Sequence, residues 1–177
     1  MRKSILVSGG TKGIGRAIIE RFAQEGFDIF TCSRNEGDLA ALRASLASKY
    51  PSCSVHTFVA DLSKKEEVMA FATGVKAIGI PDVIVHNTGL FLPGSLHAEP
   101  DGNLEFLIQT NLYSAYYLTR AFAAALMERK SGHIFSIGGF LITPYAAKAT
   151  SRMSIKMILT VHSFPTRRSS DDRKSVV

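Results

Sequence analysis

The residues richest in chemistry stand near the amino terminus, in the run Ser8-Gly9-Gly10-Thr11-Lys12-Gly13-Ile14-Gly15. A short apolar stretch precedes the run and an amphipathic one follows it, so it reads as a bend from a strand into a helix. Glycines in such a bend let the main chain pass close to a ligand, and the amide-rich start of the helix favours an anion there. The pattern predicts a pyrophosphate cradle, and hence a dinucleotide site, at Gly9, Thr11, Lys12, Gly13, Ile14 and Gly15. After the next apolar run come Ser33, Arg34 and Asn35, with no acid before Glu36. A carboxylate here would bind ribose hydroxyls and repel an added phosphate, whereas an arginine can grip a 2′-phosphate with two parallel bonds. With Lys12 as a second cation, the signs of the charges predict NADP (NADPH) rather than NAD.

These residues need a frame, and the hydrophobic pattern supplies one. Residues 4–8 form a short buried-strand run, 14–25 a helical stretch with Gly26 at its C-cap, and 27–33 a second strand. Leu39, Leu42 and Leu46 recur at helical spacing within 36–50, which Pro51 stops. Residues 54–60 alternate as a strand, and 63–77 read as a helix opened by a capping box of Ser63 and Glu66. Pro81 opens a strand over 82–86, residues 103–130 form a long helical region, and 133–137 another strand. Strands alternating with helices at this spacing predict an α/β fold. The expected form is a Rossmann-like, doubly wound parallel sheet with helices on both faces and strand order 3-2-1-4-5.

Composition narrows the function classes. The 177 residues are 46% hydrophobic and 20% charged, the balance of a globular domain with a real core. The net charge of +6 is modest and its basic residues are scattered, so no nucleic-acid partner is expected. Cys32 and Cys53 have no metal spacing and read as reduced structural thiols, with no metal site. The apolar run Ile5-Leu6-Val7 is too short for a signal-peptide core. The longest uncharged stretch, 131–147, is broken by Gly132, Gly138, Gly139 and Pro144, so no membrane span is expected and the protein is expected to be cytoplasmic.

Four landmarks in register make the chain resemble the short-chain dehydrogenase/reductase family. They are Gly9-x-x-x-Gly13-x-Gly15, then Asp61-Leu62 after the third strand, His86-Asn87-Thr88-Gly89 after the fourth, and Asn111 within Thr110-Asn111-Leu112. The resemblance covers residues 2 to about 137. It implies that Asp61 and Leu62 lie at the adenine, that Asn87 and Gly89 line the cofactor, and that Asn111 is the helix-borne catalytic asparagine. It also implies NADP(H)-dependent reduction of a carbonyl or oxidation of an alcohol, of the 3-oxoacyl-thioester or carbonyl reductase kind. A small-molecule carbonyl or alcohol would be the substrate. The intact parent would be a homo-oligomer through its helices at 103–130 and 149–161.

Such enzymes use a tyrosine as proton donor, and its ordinary pKa near ~10 must be lowered by a lysine one helical turn on. Two registers are open here. One, counted from the fifth strand, puts Gly139 at the family's serine, Arg152 at the tyrosine and Lys156 at the lysine. The other takes Tyr145-Ala146-Ala147-Lys148 as the dyad, one residue short of the family spacing but still on one helix face. In the first register the signature is that of a non-catalytic NADP(H)-binding module, the alternative to an oxidoreductase.

The last residues stand apart. The run from His162 to Asp171 resembles the translation of a sequencing-library adapter, and Asp172 to Val177 that of its reverse complement. We therefore expect residues 1–161 to form a truncated NADP-binding Rossmann domain and residues 162–177 a non-native, disordered tail. Family members continue into two more strands. The expectation is thus a sheet incomplete at its C-terminal edge, an exposed strand edge with poor solubility, and no turnover by this fragment.

Overall fold

The computed structural model describes residues 2–139 and 157–163. Ser4–Ser8 (β1), Asp28–Ser33 (β2), Val55–Val59 (β3), Val83–His86 (β4) and His133–Gly139 (β5) lie parallel in the order β3-β2-β1-β4-β5, as expected. The helices are Gly13–Gln24 (α1), Glu36–Lys49 (α2), Lys65–Ile78 (α3), Asn103–Ile108 (α4) and Ser114–Arg129 (α5).

Successive strand residues point to opposite faces of a sheet, and β1 uses both. Ile5 and Val7 pack with Ile29, Val83 and Val85 against Ile19 and Ala23 of α1 and Leu42 and Leu46 of α2. Leu6 points the other way and joins Phe30, Ile84 and Ile134 against Val68, Phe71 and Val75 of α3 and Leu118, Phe122 and Leu126 of α5. The central strands β1 and β4 are therefore buried on both faces, which is why they read as continuous apolar runs. Each such side chain contributes roughly 1.5–3 kcal/mol by leaving water.

The first crossover ends where the sequence says it should. Gly26 adopts φ 80°, its N–H donates to the Ala23 carbonyl at 3.0 Å, and the Phe27 N–H donates to the Phe22 carbonyl at 3.1 Å. This is a Schellman turn, closed by an edge-on contact of the Phe22 and Phe27 rings with centroids 5.0 Å apart. It aims the chain back along the sheet as β2.

At the amino-terminal ends of the strands, Arg129 at the end of α5 makes a clasp. Its guanidinium donates to the carbonyls of Ile80 (3.1 Å), Pro81 (2.9 Å) and Ser131 (3.2 Å), and stands 3.4 Å from the Asp82 carboxylate. Asp82 in turn accepts from the Ser4 N–H at 2.8 Å through its side chain and from the His133 N–H at 2.9 Å through its carbonyl. One arginine thus ties α5 to the entries of β1, β4 and β5.

Three elements differ from the sequence expectation. Helix α3 is capped at Lys64 rather than Ser63, and Glu67 replaces Glu66 as the residue reaching back, accepting the Asp61 N–H at 2.6 Å. Ser63 is drawn away because its N–H and hydroxyl both donate to the Asp61 carboxylate. The region 103–130 is not one helix: a π-helical turn, Gln109–Tyr113, separates α4 from α5, and Lys130 (φ 54°) ends α5 in the left-handed region. Finally, Met157–Ser163 (β6) is a strand paired antiparallel to β5, with Met157 opposite Gly139 and Ser163 opposite His133. This overturns the helix expected over 149–161 for its last five residues. An uncovered β5 would present a row of unpaired main-chain groups, and Met157-Ile158-Leu159-Thr160-Val161 is rich enough in β-formers to take them. The boundary expected after residue 161 falls inside this strand, which continues through His162 and Ser163.

Arg129→Met should lower unfolding stability by about 2 kcal/mol, because three carbonyls lose a charged donor that is only partly replaced by water. Urea unfolding should show an earlier midpoint with an unchanged slope; an unchanged midpoint would contradict the clasp.

Candidate functional site

In a parallel sheet the segments that follow the strands all emerge at one edge, and here that edge carries every cofactor residue expected from the sequence. β1 ends at Ser8, whose hydroxyl accepts the N–H groups of Asn87 and Thr88, both at 3.0 Å. The Asn87 carboxamide answers by donating to the carbonyls of Ser8 (3.1 Å) and Gly9 (2.9 Å). From the other side, the Thr31 hydroxyl of β2 donates to the Val7 carbonyl at 2.7 Å and accepts the Gly10 N–H at 3.1 Å. The bend is thus clamped between β2 and β4.

Its glycines serve two different needs. Gly9 (φ 68°) and Gly13 (φ 56°) occupy the left-handed region, where a side chain costs about 1 kcal/mol or more. Gly10 and Gly15 are required for close approach. A Cβ on Gly10 would strike the Ile19 side chain and the Thr31 hydroxyl, and one on Gly15 the Asn87 carboxamide and the Gly9 carbonyl. Nothing lies within 4 Å of the Cβ direction of Gly13, so this face of the bend is open.

Helix α1 begins without any anion of its own. Its N-cap, Lys12, makes no side-chain capping bond, and its first turn contains no acid. The Arg16 N–H is bonded to the Lys12 carbonyl at 3.2 Å, so the amides of Gly13, Ile14 and Gly15 have no intrahelical acceptor. These donors, the open space at Gly13 and the exposed Ile14 side chain fit a pyrophosphate-bearing nucleotide.

The next two strand ends supply charge. Arg34, exposed, follows β2, and Asn35 caps α2 by accepting the Asp38 N–H on its side chain at 3.0 Å. The Lys12 ammonium, 77% exposed, is paired with the Asp38 carboxylate at 2.8 Å. Asp61 follows β3. Partial burial pushes its carboxyl up, but the two bonds from Ser63, with the charges of Arg34 and Lys64, outweigh burial and leave it below its ordinary value. Leu62 is buried in the core beside α3, so only its main chain faces the edge.

After β4, Gly89 is exposed and Asn87 half-buried, while Asn111 fixes the path of the segment. Its side chain accepts the Leu90 N–H at 2.7 Å and donates to the Leu90 carbonyl at 2.9 Å. Asn111 sits in the π-helical turn, a kind of bulge that re-aims a side chain out of helical register. Tyr145, Lys148 and Lys156 lie outside the described residues. Ser8 and Thr31 were missed as site residues by sequence reasoning; a polar residue fully buried within an apolar strand run is the signal that marks both.

Two other groups behind the edge are set by burial. The Cys32 thiol is pushed up to about 12 by burial, which makes it an inert core residue. His86 is buried at the end of β4 and its Nε2 shares a hydrogen bond with the Thr119 hydroxyl at 2.8 Å. Its Nδ1 has no partner among the described residues, and burial lowers its pKa to about 4.

A glycine bend clamped at the carboxyl edge of a doubly wound parallel sheet, opening on the bare N-terminus of a helix, defines a dinucleotide-binding α/β domain. The sequence model of the short chain dehydrogenases matches residues 3–147, and the chain belongs to that family. It is 30% identical over 156 residues to estradiol 17-beta-dehydrogenase 11 of Pongo abelii, covering 88% of this chain and 48% of that one. It is 31% identical over 137 residues to the 3-oxoacyl-[acyl-carrier-protein] reductase FabG of Haemophilus influenzae, covering 77% of this chain and 54% of the other. The crystal structure of a metagenomic short-chain oxidoreductase in complex with NADP superposes with a TM-score of 0.72 at 32% identity, over 78% of this chain and 62% of that one. The chain spans about half the length of the curated relatives it matches. Among the described residues, no helix is long and apolar enough to cross a membrane.

Two measurements check these interactions. Ser8→Ala leaves the Asn87 and Thr88 amides without their acceptor and should cost about 2–3 kcal/mol of stability, read from the urea midpoint. The His86 linkage has its own pH window. An unfolded histidine titrates near 6.5 and the folded one near 4, so the unfolded chain takes the proton first and stability falls as pH drops through that interval. The loss should reach roughly 3 kcal/mol. Asp61, with its lowered carboxyl, keeps its contribution above 3.8 and loses it only at more acid pH, so the two windows separate. His86→Asn should flatten the profile between 6.5 and 4; a profile identical to the parent's would contradict this assignment.

Proposed function

We propose that the chain is the cofactor-binding part of an NADP(H)-dependent short-chain oxidoreductase acting on a small carbonyl compound or the corresponding alcohol. Its chief support is the bare N-terminus of α1 beside a second-strand end that carries Arg34 and no carboxylate before Glu36. The amides of Gly13, Ile14 and Gly15 would hold the pyrophosphate, Arg34 and Lys12 the 2′-phosphate, Asp61 the adenine, and Asn87 and Gly89 the inner ribose side. The metagenomic relative in complex with NADP supports the cofactor, and the FabG relative supports a 3-oxoacyl-thioester or carbonyl substrate.

When bound, the nicotinamide supplies or accepts hydride. The chain's own part at the reacting end falls to Asn111 and to one of two sets. In the first, the Tyr145 phenol gives its proton to the carbonyl oxygen while the Lys148 ammonium stabilises the phenolate left behind. In the second, Lys156 stands at the lysine position with Arg152 at the tyrosine and Gly139 at the serine, no proton donor is placed, and the chain binds cofactor without turnover. The end of β5 at Gly139, a residue with no hydroxyl to hold a substrate oxygen, favours the second. We accordingly expect no carbonyl reduction by this chain.

NADPH fluorescence titration tests the cofactor assignment. NADPH should bind more tightly than NADH, and Arg34→Asp should weaken NADPH by roughly 10- to 100-fold while leaving NADH unchanged or improved. Equal affinities for the two cofactors, or an Arg34→Asp chain that still prefers NADPH, would remove the assignment.

A further inference from the structure

The ion pair between Lys12 and Asp38 joins the glycine bend to the first turn of α2, on the side of the site that carries Arg34. Asp38 is not placed there by chance packing. The Asn35 side chain accepts its main-chain N–H at 3.0 Å, which fixes it in the opening turn of α2, where the helix favours a negative charge. Its carboxylate is 30% exposed and lies 2.8 Å from the Lys12 ammonium. A pair this exposed is weak and is easily exchanged for a stronger anion.

Resting on the NADP assignment above, we propose that Asp38 is a specificity-determining residue. Its carboxylate holds Lys12 until a 2′-phosphate displaces it, and so sets how strongly NADPH is preferred over NADH. A phosphate arriving at Lys12 must break an existing ion pair and then sit beside the carboxylate it has displaced. NADH, with hydroxyls only, breaks no such pair. Asp38 therefore works against Arg34, and tempers a selectivity that two uncompensated cations would make steeper.

The test compares wild type, Asp38→Asn, Lys12→Met and the double variant. NADPH and NADH are titrated by fluorescence, and 2′,5′-ADP, which carries the phosphate without the nicotinamide, by calorimetry. Asp38→Asn keeps the main-chain N–H that Asn35 bonds, and equal melting temperatures should show that the fold is kept. The expected result is tighter NADPH and 2′,5′-ADP binding by roughly three- to tenfold, with NADH changed by less than about twofold. The gain should vanish when Asp38→Asn is made in the Lys12→Met background. Unchanged or weaker NADPH binding, equal tightening of NADH, or a gain that survives without Lys12 would each overturn the proposal. A wild-type chain with no preference for NADPH would instead end the NADP assignment itself, so the two failures are distinct.

Discussion

The candidate site depends on the Ser8 hydroxyl more than on any glycine. Two consecutive amides at the exit of β4 converge on that one oxygen, and the Asn87 carboxamide closes the loop back onto the carbonyls of Ser8 and Gly9. Buried N–H groups are costly to leave unpaired, so once β1 and β4 are neighbours the bend has little choice of path. The glycines then permit what the hydrogen bonds demand. Gly15 must lack a side chain because Asn87 already occupies the space, and Gly9 sits in the left-handed region with its carbonyl bonded to Asn87.

The electrostatics of the edge follow from where helices start. α1 opens toward the bend with no acid in its first turn, while α2 opens with Glu36 and Asp38, and α3 with Glu66 and Glu67. Only the first helix leaves its amides for an external anion; the other two carry their own. Lys64 and Glu67 satisfy each other at 2.8 Å, and Asp61 is held by Ser63, so the Asp61 end of the edge is pre-set by local turns.

The sheet is legible because β1 and β4, buried on both faces, are apolar runs between turn residues, while the edge strand β3 alternates. Gly26 marked its Schellman turn and the Leu39-Leu42-Leu46 spacing marked α2. The glycine bend could be placed from spacing alone. What could not be read were interactions between segments far apart in the chain. The alternation that makes Ser8 and Thr31 buried is visible, but their partners are not. The π-helical turn at Asn111 is not legible in the helical pattern, and the Leu90 main chain that its side chain pairs with lies far outside that pattern. The Lys12–Asp38 pair is not legible for the same reason, since it joins the glycine bend to the start of α2. The strand β6 is not legible in the family pattern, because its formation rests on the long-range pairing with β5.

The clasp at Arg129 divides the molecule into two poles. At the strand entries, one guanidinium holds the carbonyls of Ile80, Pro81 and Ser131, and the neighbouring Asp82 holds the Ser4 and His133 amides. At the strand exits, hydroxyls and carboxamides make the ties, and such groups can rotate and re-pair. The ties at the entries thus carry charge while those at the exits are neutral, and the neutral ones border the open side of Gly13.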